Sequence, residues 1–499
     1  MLWPVAEFST FPTWLSVVFW VVDVGIRVLL LGIVPGGRRP AVAMAWLLII
    51  FFLPLPGLVL FLLFGSFRLG GPRRSRQRAV SQALGRATAH LELPNDAGQA
   101  PGYVASAAAL SRNLTSFPML DGNGFEFITD YRASLQRMAD DIDNAKHYVH
   151  LVFYILADDP EDRQGYTSVV LEALERAHRR GVKVRILFDH IGSLRVRGHR
   201  KLRQRLDAAG LEYHETMPVL PWRGKYQRPD LRNHRKILVV DGLVGYTGSQ
   251  NLIEPGYKQP AAHRMGRAWV DLMARVTGPI VASLDIVFVT DWYSETGDPL
   301  EGAIRDPDPT ELDVDEGSIA QVIPSGPGFA NENNLRLFNY LFYSASKRLV
   351  VVSPYLVPDD SMLYALTTAA QRGVHVELYV CRKADQFMVH HAQQSYYHAL
   401  LEAGIQIFRY PDPNVLHAKF FTIDEDVAVF GSSNMDMRSF SLNMEVSVLT
   451  VGSEMVDALQ SVVEQYRSVS EELTLEQWEG RPRLKRWVDN VFRLTSALQ

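Results

Sequence analysis

The sequence predicts an α/β protein of two duplicated halves carried behind an N-terminal apolar helical hairpin. Three observations lead there. Two apolar stretches with almost no charge precede residue 68, strand-like apolar runs alternate with helical segments after it, and that alternation begins at Ala145 and again at Ser346. The whole chain sets the bounds. Its 499 residues suffice for two or three domains, and 47% hydrophobic with 21% charged residues is ordinary globular composition. A net charge of −4 argues against a general nucleic-acid binder. The one cysteine, Cys381, excludes an intramolecular disulfide and a zinc site built on paired cysteines, and fits a reducing compartment.

Residues 1–67 are read as a transmembrane helical hairpin with spans at about 11–34 and 41–64. No charge occurs in "PAVAMAWLLIIFFLPLPGLVLFLLFGSF", which exceeds the roughly 20 apolar residues that cross a bilayer core. The earlier span, Phe11 to Gly37, carries only Asp23 and Arg27, four apart and so able to neutralise each other on a helix. "PGGRRP" turns the chain between them. A cleaved signal is disfavoured because "MLWPVAEFST" lacks a positive n-region and a second span follows at once. Arg68, Arg73, Arg74, Arg76 and Arg78 outnumber Arg38 and Arg39 in the turn, which predicts a cytoplasmic body with both ends inside. The turn arginines weigh the other way. The larger cluster suits anionic headgroups as well as it suits a topology signal.

Residues 68–124 read as a basic juxtamembrane segment and linker containing "ELPNDAGQAPG", and 294–318 as an acidic, Pro/Gly-rich linker between repeats at 125–293 and 319–470. The repeats match piece by piece. "AKHYVHLVFYILADD" corresponds to "SKRLVVVSPYLVPDD", "RAHRRGVKVRILFD" to "TAAQRGVHVELYV", and "LDAAGLEYH" to "LLEAGIQIF". Strand, helix, strand, helix and short strand in that order predict α/β layers with a largely parallel sheet. Residues 471–499 end in "RPRLKRWVDNVFRL", which sets Leu484, Trp487, Val488, Val491 and Phe492 on one face of a basic helix, suited to a membrane surface or to packing on the body.

Each repeat closes on one pattern. "NHRKILVVDGLVGYTGSQN" holds His234, Lys236 and Asp241, and "LHAKFFTIDEDVAVFGSSN" holds His417, Lys419 and Asp424. A strand's period of two puts His234 and Lys236 on one face, as it does His417 and Lys419. Asp241 is out of phase and precedes Gly242, so a hairpin-turn role competes evenly with a catalytic one, and Asp424 occupies the equivalent place. Gly248 and Gly431 allow close approach of a ligand to the backbone, while Ser249, Asn251, Ser432 and Asn434 offer uncharged donors to a substrate phosphate. Asp271 and Glu445 are lone carboxylates in apolar strands, placed to orient an imidazole and costly to bury without a cationic partner. One such motif would arise by chance in roughly one chain in several tens of this length. Two, each followed by G-S-x-N and an acid and each closing a matching repeat, are a strong signal. His390, His391 and His398 share an apparent helix, where packing or pocket lining is the better reading than metal ligation.

The paired H-x-K-x-x-x-x-D…G-S-x-N motifs resemble the phospholipase D superfamily over roughly Phe125 to Ser470, and the chain is similar more narrowly to bacterial cardiolipin synthases with a two-helix N-terminal anchor. "AMAWLLIIFFLPLPGLVLFLLFG", "VDLMARVTGPIV", "SGPG", "PYLVPDD", "TAAQRGV" and "NMDMRSFSLNMEVSV" carry the narrower likeness. The resemblance implies two phospholipase D-like halves forming one bilobal catalytic unit whose motifs meet at one pocket. It implies that one histidine attacks phosphorus while the other serves as acid and then base, with His234 taken as nucleophile and His417 as acid/base, and with no metal or cofactor. Lys236, Lys419, Asn251 and Asn434 would hold the non-bridging oxygens. The implied reaction moves a phosphatidyl group between two phosphatidylglycerols, with a hydrolytic phospholipase D or a transferase for another alcohol as the alternative. Phosphatidylglycerol and other anionic lipids are the implied partners, at a bacterial inner membrane. Nucleic acid is not among them, and homo-oligomers are allowed. The basic, aromatic "PWRGKYQRPDLRNHRK" would hold headgroups near the pocket or form a solvated loop.

Overall fold

A computed structural model describes residues 13–66, 69–94, 100–158, 165–223, 225–300, 302, 317–329 and 332–496. Arg68, Asp159, the start of the first predicted span and much of the two predicted linkers lie outside the described residues. Two compact units, Met1–Arg68 and Leu69–Gln499, divide the chain.

In the first unit, α1 (Thr13–Ile33) is apolar apart from Asp23 and Arg27 and, at about 1.5 Å per residue, long enough for a ~30 Å bilayer core. Arg27 pairs with Asp23 at 2.8 Å, as their spacing predicts. The second predicted span is not one helix. It is α2 (Pro40–Phe52) and α3 (Pro54–Phe64), parted at Leu53, whose φ of −133° and ψ of 74° leave the helical region. Pro54 explains the break, since it lacks an N–H to donate and its ring drives the preceding residue out of helical geometry. Neither piece alone is long enough to cross.

The second unit begins with α4 (Gly71–Ala87). The segment predicted as a basic linker is helical and packed: Arg73 pairs with Glu295 at 2.7 Å, and Arg76 donates to the carbonyls of Tyr293 and Ser294 at 3.3 and 3.1 Å. A second helix, Gly102–Thr115, follows before the sheet begins at Met119–Ile128, ahead of the predicted start at residue 125.

One sixteen-stranded sheet runs through both halves. Its two central strands, Met119–Ile128 and Ser318–Ser325, pair antiparallel, and each half extends outward from them in the same order. The first arm runs Met273–Thr277, Val244–Gly248, Lys236–Val240, Tyr148–Phe153, Lys183–Asp189, Glu212–Thr216. The second runs Asn443–Val451, Val427–Gly431, Phe420–Ile423, Arg348–Val352, His375–Cys381, Gln406–Tyr410 and a terminal Glu471–Leu473. The repeat is therefore real in space. The largely parallel sheet is not: within each arm only three consecutive strands are parallel, Tyr148–Phe153 to Glu212–Thr216 and Arg348–Val352 to Gln406–Tyr410. The His–Lys strand reverses immediately through a tight turn, and a short reversal can join only antiparallel neighbours.

Helices Ile280–Thr296 and Ser453–Val469 contribute Leu284, Phe288, Trp292, Leu459 and Val463 to a core that also takes Val152, Ile237, Val352 and Phe420 from the two arms. Each large side chain fully buried there adds about 2 kcal/mol, and the shared core makes the halves one body.

Candidate active site

Two short parallel pairings fasten the motif of each half to the other half. Arg232–Asn233, just before His234, pairs with Asn443–Met444, just before Glu445. Val415–Leu416, just before His417, pairs with Trp269–Val270, just before Asp271. The histidine amides continue these ladders: His234 N–H donates to Met444 O at 2.8 Å and His417 N–H to Val270 O at 2.7 Å. The regular strands start only at Lys236 and Phe420, so each histidine stands at the strand mouth rather than within it.

The crossing fixes the carboxylates. His234 Nδ1 lies 3.0 Å from Glu445, and His417 Nδ1 lies 2.6 Å from Asp271. Each acid holds the other half's ring. Deep burial makes Nδ1–H the natural donor to the carboxylate, which leaves Nε2 of each neutral ring as the group available for chemistry.

Ser249 and Ser432 sit behind the acids. Ser249 Oγ donates to Asp271 at 2.6 Å and Ser432 Oγ to Glu445 at 2.5 Å, and each Oγ accepts the amide of the next residue on that strand, Leu272 or Val446. In this structure the hydroxyls predicted to meet a substrate phosphate are engaged with the carboxylates instead. Gly248 and Gly431 serve the frame, because a Cβ on either would lie 2.3 Å from the carbonyl oxygen of Leu272 or Val446.

Asp241 and Asp424 are not brought to the histidines. Asp241 adopts φ 54° in the turn and accepts the amides of Lys146, His147 and Tyr148 at 2.7–2.8 Å. Asp424, with φ 51°, accepts those of Ser346, Lys347 and Arg348. Their contacts match the hairpin-turn alternative: each ties its turn to the start of the neighbouring strand. Asn251 is also engaged, donating to Tyr257 OH at 2.9 Å and accepting from Ile155 N–H at 3.2 Å. Asn434 differs, for its buried Oδ1 has no partner among the described residues.

Electrostatics follow burial. Loss of water pushes His234 and His417 down to about 4, despite the carboxylate beside each. The same cause pushes Lys236 down to about 7 and Lys419 to about 8. Burial would raise Asp271 and Glu445, but the adjoining imidazoles and lysines hold both below the ordinary carboxylate range. Each lysine Nζ turns back on the carbonyl of its own motif's histidine, at 2.5 Å in both copies. Four basic groups in low dielectric, facing two carboxylates, make a site that gains from receiving an anion.

The motifs did not disclose the aromatic walls. Tyr154 packs edge-on to His234 with ring centres 4.7 Å apart, and Lys236 Nζ lies 5.5 Å from the same ring. Tyr257 faces His417 and stacks on Trp269 at 4.3 Å. Tyr154 does follow the strand in "FYILADD", and its counterpart Tyr355 stands in "PYLVPDD", so the repeat comparison held that signal. Arginines of the predicted headgroup loop are used internally: Arg232 pairs with Asp189 at 3.1 Å and Arg235 pairs with Asp291. His391 pairs with Asp489 at 2.8 Å and His390 meets Gln394 at 2.8 Å, both packing roles, while His398 is exposed beside Glu479.

The family described as "Cardiolipin synthase, PLD-like domain" matches residues 138–261 and 340–467. The chain is 35% identical to cardiolipin synthase A of Proteus mirabilis over 98% of this chain and 99% of that one. Cardiolipin synthase A of Serratia proteamaculans is 35% identical over the same shares. Among solved structures, the phosphatidylserine synthase of Haemophilus influenzae superposes with a TM-score of 0.59 at 15% identity, covering 78% of this chain and 99% of that one, which shows a shared fold.

Proposed function

Because the chain belongs to the cardiolipin synthase family of the phospholipase D superfamily, we propose that its crossed histidine pairs move a phosphatidyl group from one phosphatidylglycerol to another. The observation that carries this reading is the pair of imidazoles, each held at Nδ1 by a carboxylate of the opposite half. His234 Nε2 attacks phosphorus, and the P–O bond to the headgroup glycerol breaks. His417, protonated at Nε2, gives its proton to the departing alkoxide and glycerol leaves. A hydroxyl of the second phosphatidylglycerol then returns a proton to His417 and attacks phosphorus. The P–N bond breaks, cardiolipin forms, and both rings are restored.

Residue chemistry supports each role. A ring kept neutral by burial is the nucleophile. A phosphodiester anion, together with Asp271, favours the cationic form of the other ring. Lys236 and Lys419 regain full charge beside that anion and neutralise its non-bridging oxygens as negative charge builds. Asn434 is the better placed of the two asparagines to offer its Nδ2–H to the phosphate, since its Oδ1 is uncommitted and leaves the amide free to turn, whereas Asn251 Nδ2 already donates to Tyr257.

Membrane attachment fits a reaction whose donor and acceptor are both lipids. In this reading the N-terminal unit anchors the chain in a bacterial cytoplasmic membrane with the body on the cytoplasmic side. The C-terminal helix Arg483–Arg493 supplies a second contact. It turns Asp489 inward to His391 and Arg481, and Phe492 against Phe387, while Leu484 and Trp487 stay 71% and 63% exposed beside Arg483, Lys485 and Arg486. An apolar face turned outward among basic residues suits an anionic lipid surface.

The test gives the purified full-length protein vesicles of phosphatidylglycerol and analyses the lipids. Cardiolipin with stoichiometric glycerol is expected, and His234→Ala and His417→Ala should each abolish it. Phosphatidic acid alone would redirect the reading to hydrolysis, and full activity in either variant would overturn the two-histidine mechanism.

A further inference from the structure

The arrangement of α2 and α3 carries a conclusion about topology that does not depend on the chemistry. Three contacts fold the two helices back on each other. Arg38, before α2, donates from Nη2 to the carbonyl of Gly65, after α3, at 3.1 Å. The rings of Trp46 and Phe61 lie 5.5 Å apart. A Cβ on Gly57 would come within 2.8 Å of Ile50 Cα, so the backbones meet closely next to the break. Trp46 with Phe61 and Ile50 with Gly57 are equidistant from the Leu53–Pro54 junction, as an antiparallel pair requires. Had residues 40–64 formed one helix, its ends would stand roughly 37 Å apart.

The three helices share a base. Arg38 Nη1 also donates to the carbonyl of Val34 at 2.7 Å, so a single guanidinium caps the C-terminal ends of both α1 and α3. At the far end Phe51, Phe52, Leu53 and Leu55 are exposed, and Met44, Leu48, Val59, Leu60, Leu62 and Leu63 are exposed along the flanks. Helices of 13 and 11 residues reach about 16–20 Å, a little more than one leaflet of a ~30 Å core.

We infer that α1 crosses the bilayer once and that α2–α3 re-enters it as a hairpin, dipping its apolar tip among the acyl chains and returning to the side it left. The occupant of this apolar surface is lipid hydrocarbon, for the exposed positions carry no polar side chain and the only charges stand at the base. The charge distribution agrees. No lysine or arginine precedes Arg27, whereas Arg38, Arg39, Arg68, Arg73, Arg74, Arg76 and Arg78 all come after α1. With two crossings those arginines would face both sides of the membrane. With one crossing and a re-entrant hairpin, both clusters face one side. The positive-inside rule is then obeyed without conflict, with the N-terminus outside and the catalytic body inside. Leu69 lies only four residue steps beyond Gly65, a reach of about 14 Å that cannot recross the core.

The test uses the full-length protein in sealed bacterial membrane vesicles of both orientations, with the native buried Cys381→Ala and single cysteines at Ser9→Cys, Pro35→Cys or Ser66→Cys. A membrane-impermeant maleimide should reach Pro35→Cys and Ser66→Cys from the cytoplasmic side and Ser9→Cys from the opposite side. Labelling of Pro35→Cys and Ser66→Cys from opposite sides would overturn the inference. As a second readout, the pair Trp46→Cys and Phe61→Cys should cross-link within one chain. Failure to cross-link means a straight second span and also overturns it.

Discussion

In the proposed mechanism, Asp271→Asn separates the carboxylate that holds His417 from the ring that moves the proton. The substitution keeps an oxygen to accept from Nδ1, now 2.6 Å from the carboxylate, and removes only the charge. An imidazolium and a carboxylate with charge centres about 4 Å apart interact by about 4 kcal/mol at an effective dielectric near 20. The loss falls on the step in which His417 is cationic, so about 4 kcal/mol translates to about 10³-fold in turnover. The assay is single-turnover formation of cardiolipin from phosphatidylglycerol, run beside release of nitrophenol from a nitrophenyl phosphodiester. Nitrophenolate departs without a proton, so the second reaction should recover to within about tenfold of the unsubstituted protein. The limb of the pH–rate profile that needs protonated His417 should move to lower pH, because the ring loses the charge that favours its cation. A loss below tenfold with an unmoved limb would refute the reasoning, as would equal losses on both substrates.

Ser249→Ala and Ser432→Ala remove one hydrogen bond to each positioning carboxylate and should each lower turnover about tenfold while KM stays put, which steady-state kinetics on mixed vesicles would read. Asp241→Ala and Asp424→Ala abandon three amides each and should cost about 1–3 kcal/mol of stability with turnover kept at a permissive temperature, measured by thermal unfolding beside activity. Burial depresses the His234 and His417 imidazoles from the ordinary 6.5 to about 4. The stability of keeping them neutral is therefore complete above pH 6.5 and is lost as pH falls toward 4, about 3 kcal/mol for each ring. The unfolding midpoint should fall across that window, and the double variant His234→Asn, His417→Asn should flatten the slope. Leu484→Ser with Trp487→Ser should weaken binding of a detergent-purified variant lacking residues 1–68 to anionic vesicles, by roughly tenfold for the two exposed side chains removed, read by co-sedimentation.

Sequence patterning exposed the duplication because helix–Gly–strand segments repeat in register, and Gly181 and Gly373 hold matching positive φ values of 91° and 92°. It also marked the four basic residues and both acids, whose polarity stands out inside apolar strands. What it missed depends on partners far along the chain. Nothing local tells that Glu445, not Asp271, meets His234, since 211 residues separate that pair. Serine looks the same whether its hydroxyl serves a phosphate or a carboxylate, and only the fold shows Ser249 turned to Asp271. Asp241 is ambiguous in sequence for a related reason, because its three amide partners lie at the entry to a strand almost a hundred residues earlier. Hydropathy counts apolar length over residues 41–64 and gives no sign that Pro54 divides them into two helices.

The crossed acids also bear on how such a molecule is assembled. Each repeat carries a histidine whose own acid points away from it, toward a matching histidine related by an approximate two-fold axis. A single repeat is thus self-complementary rather than self-sufficient: it becomes competent only on meeting a second copy face to face, as in an isologous dimer. Fusing the two copies into one chain makes that meeting intramolecular. Assembly no longer depends on protomer concentration, and the two halves become free to differ, as Asp271 and Glu445 already do.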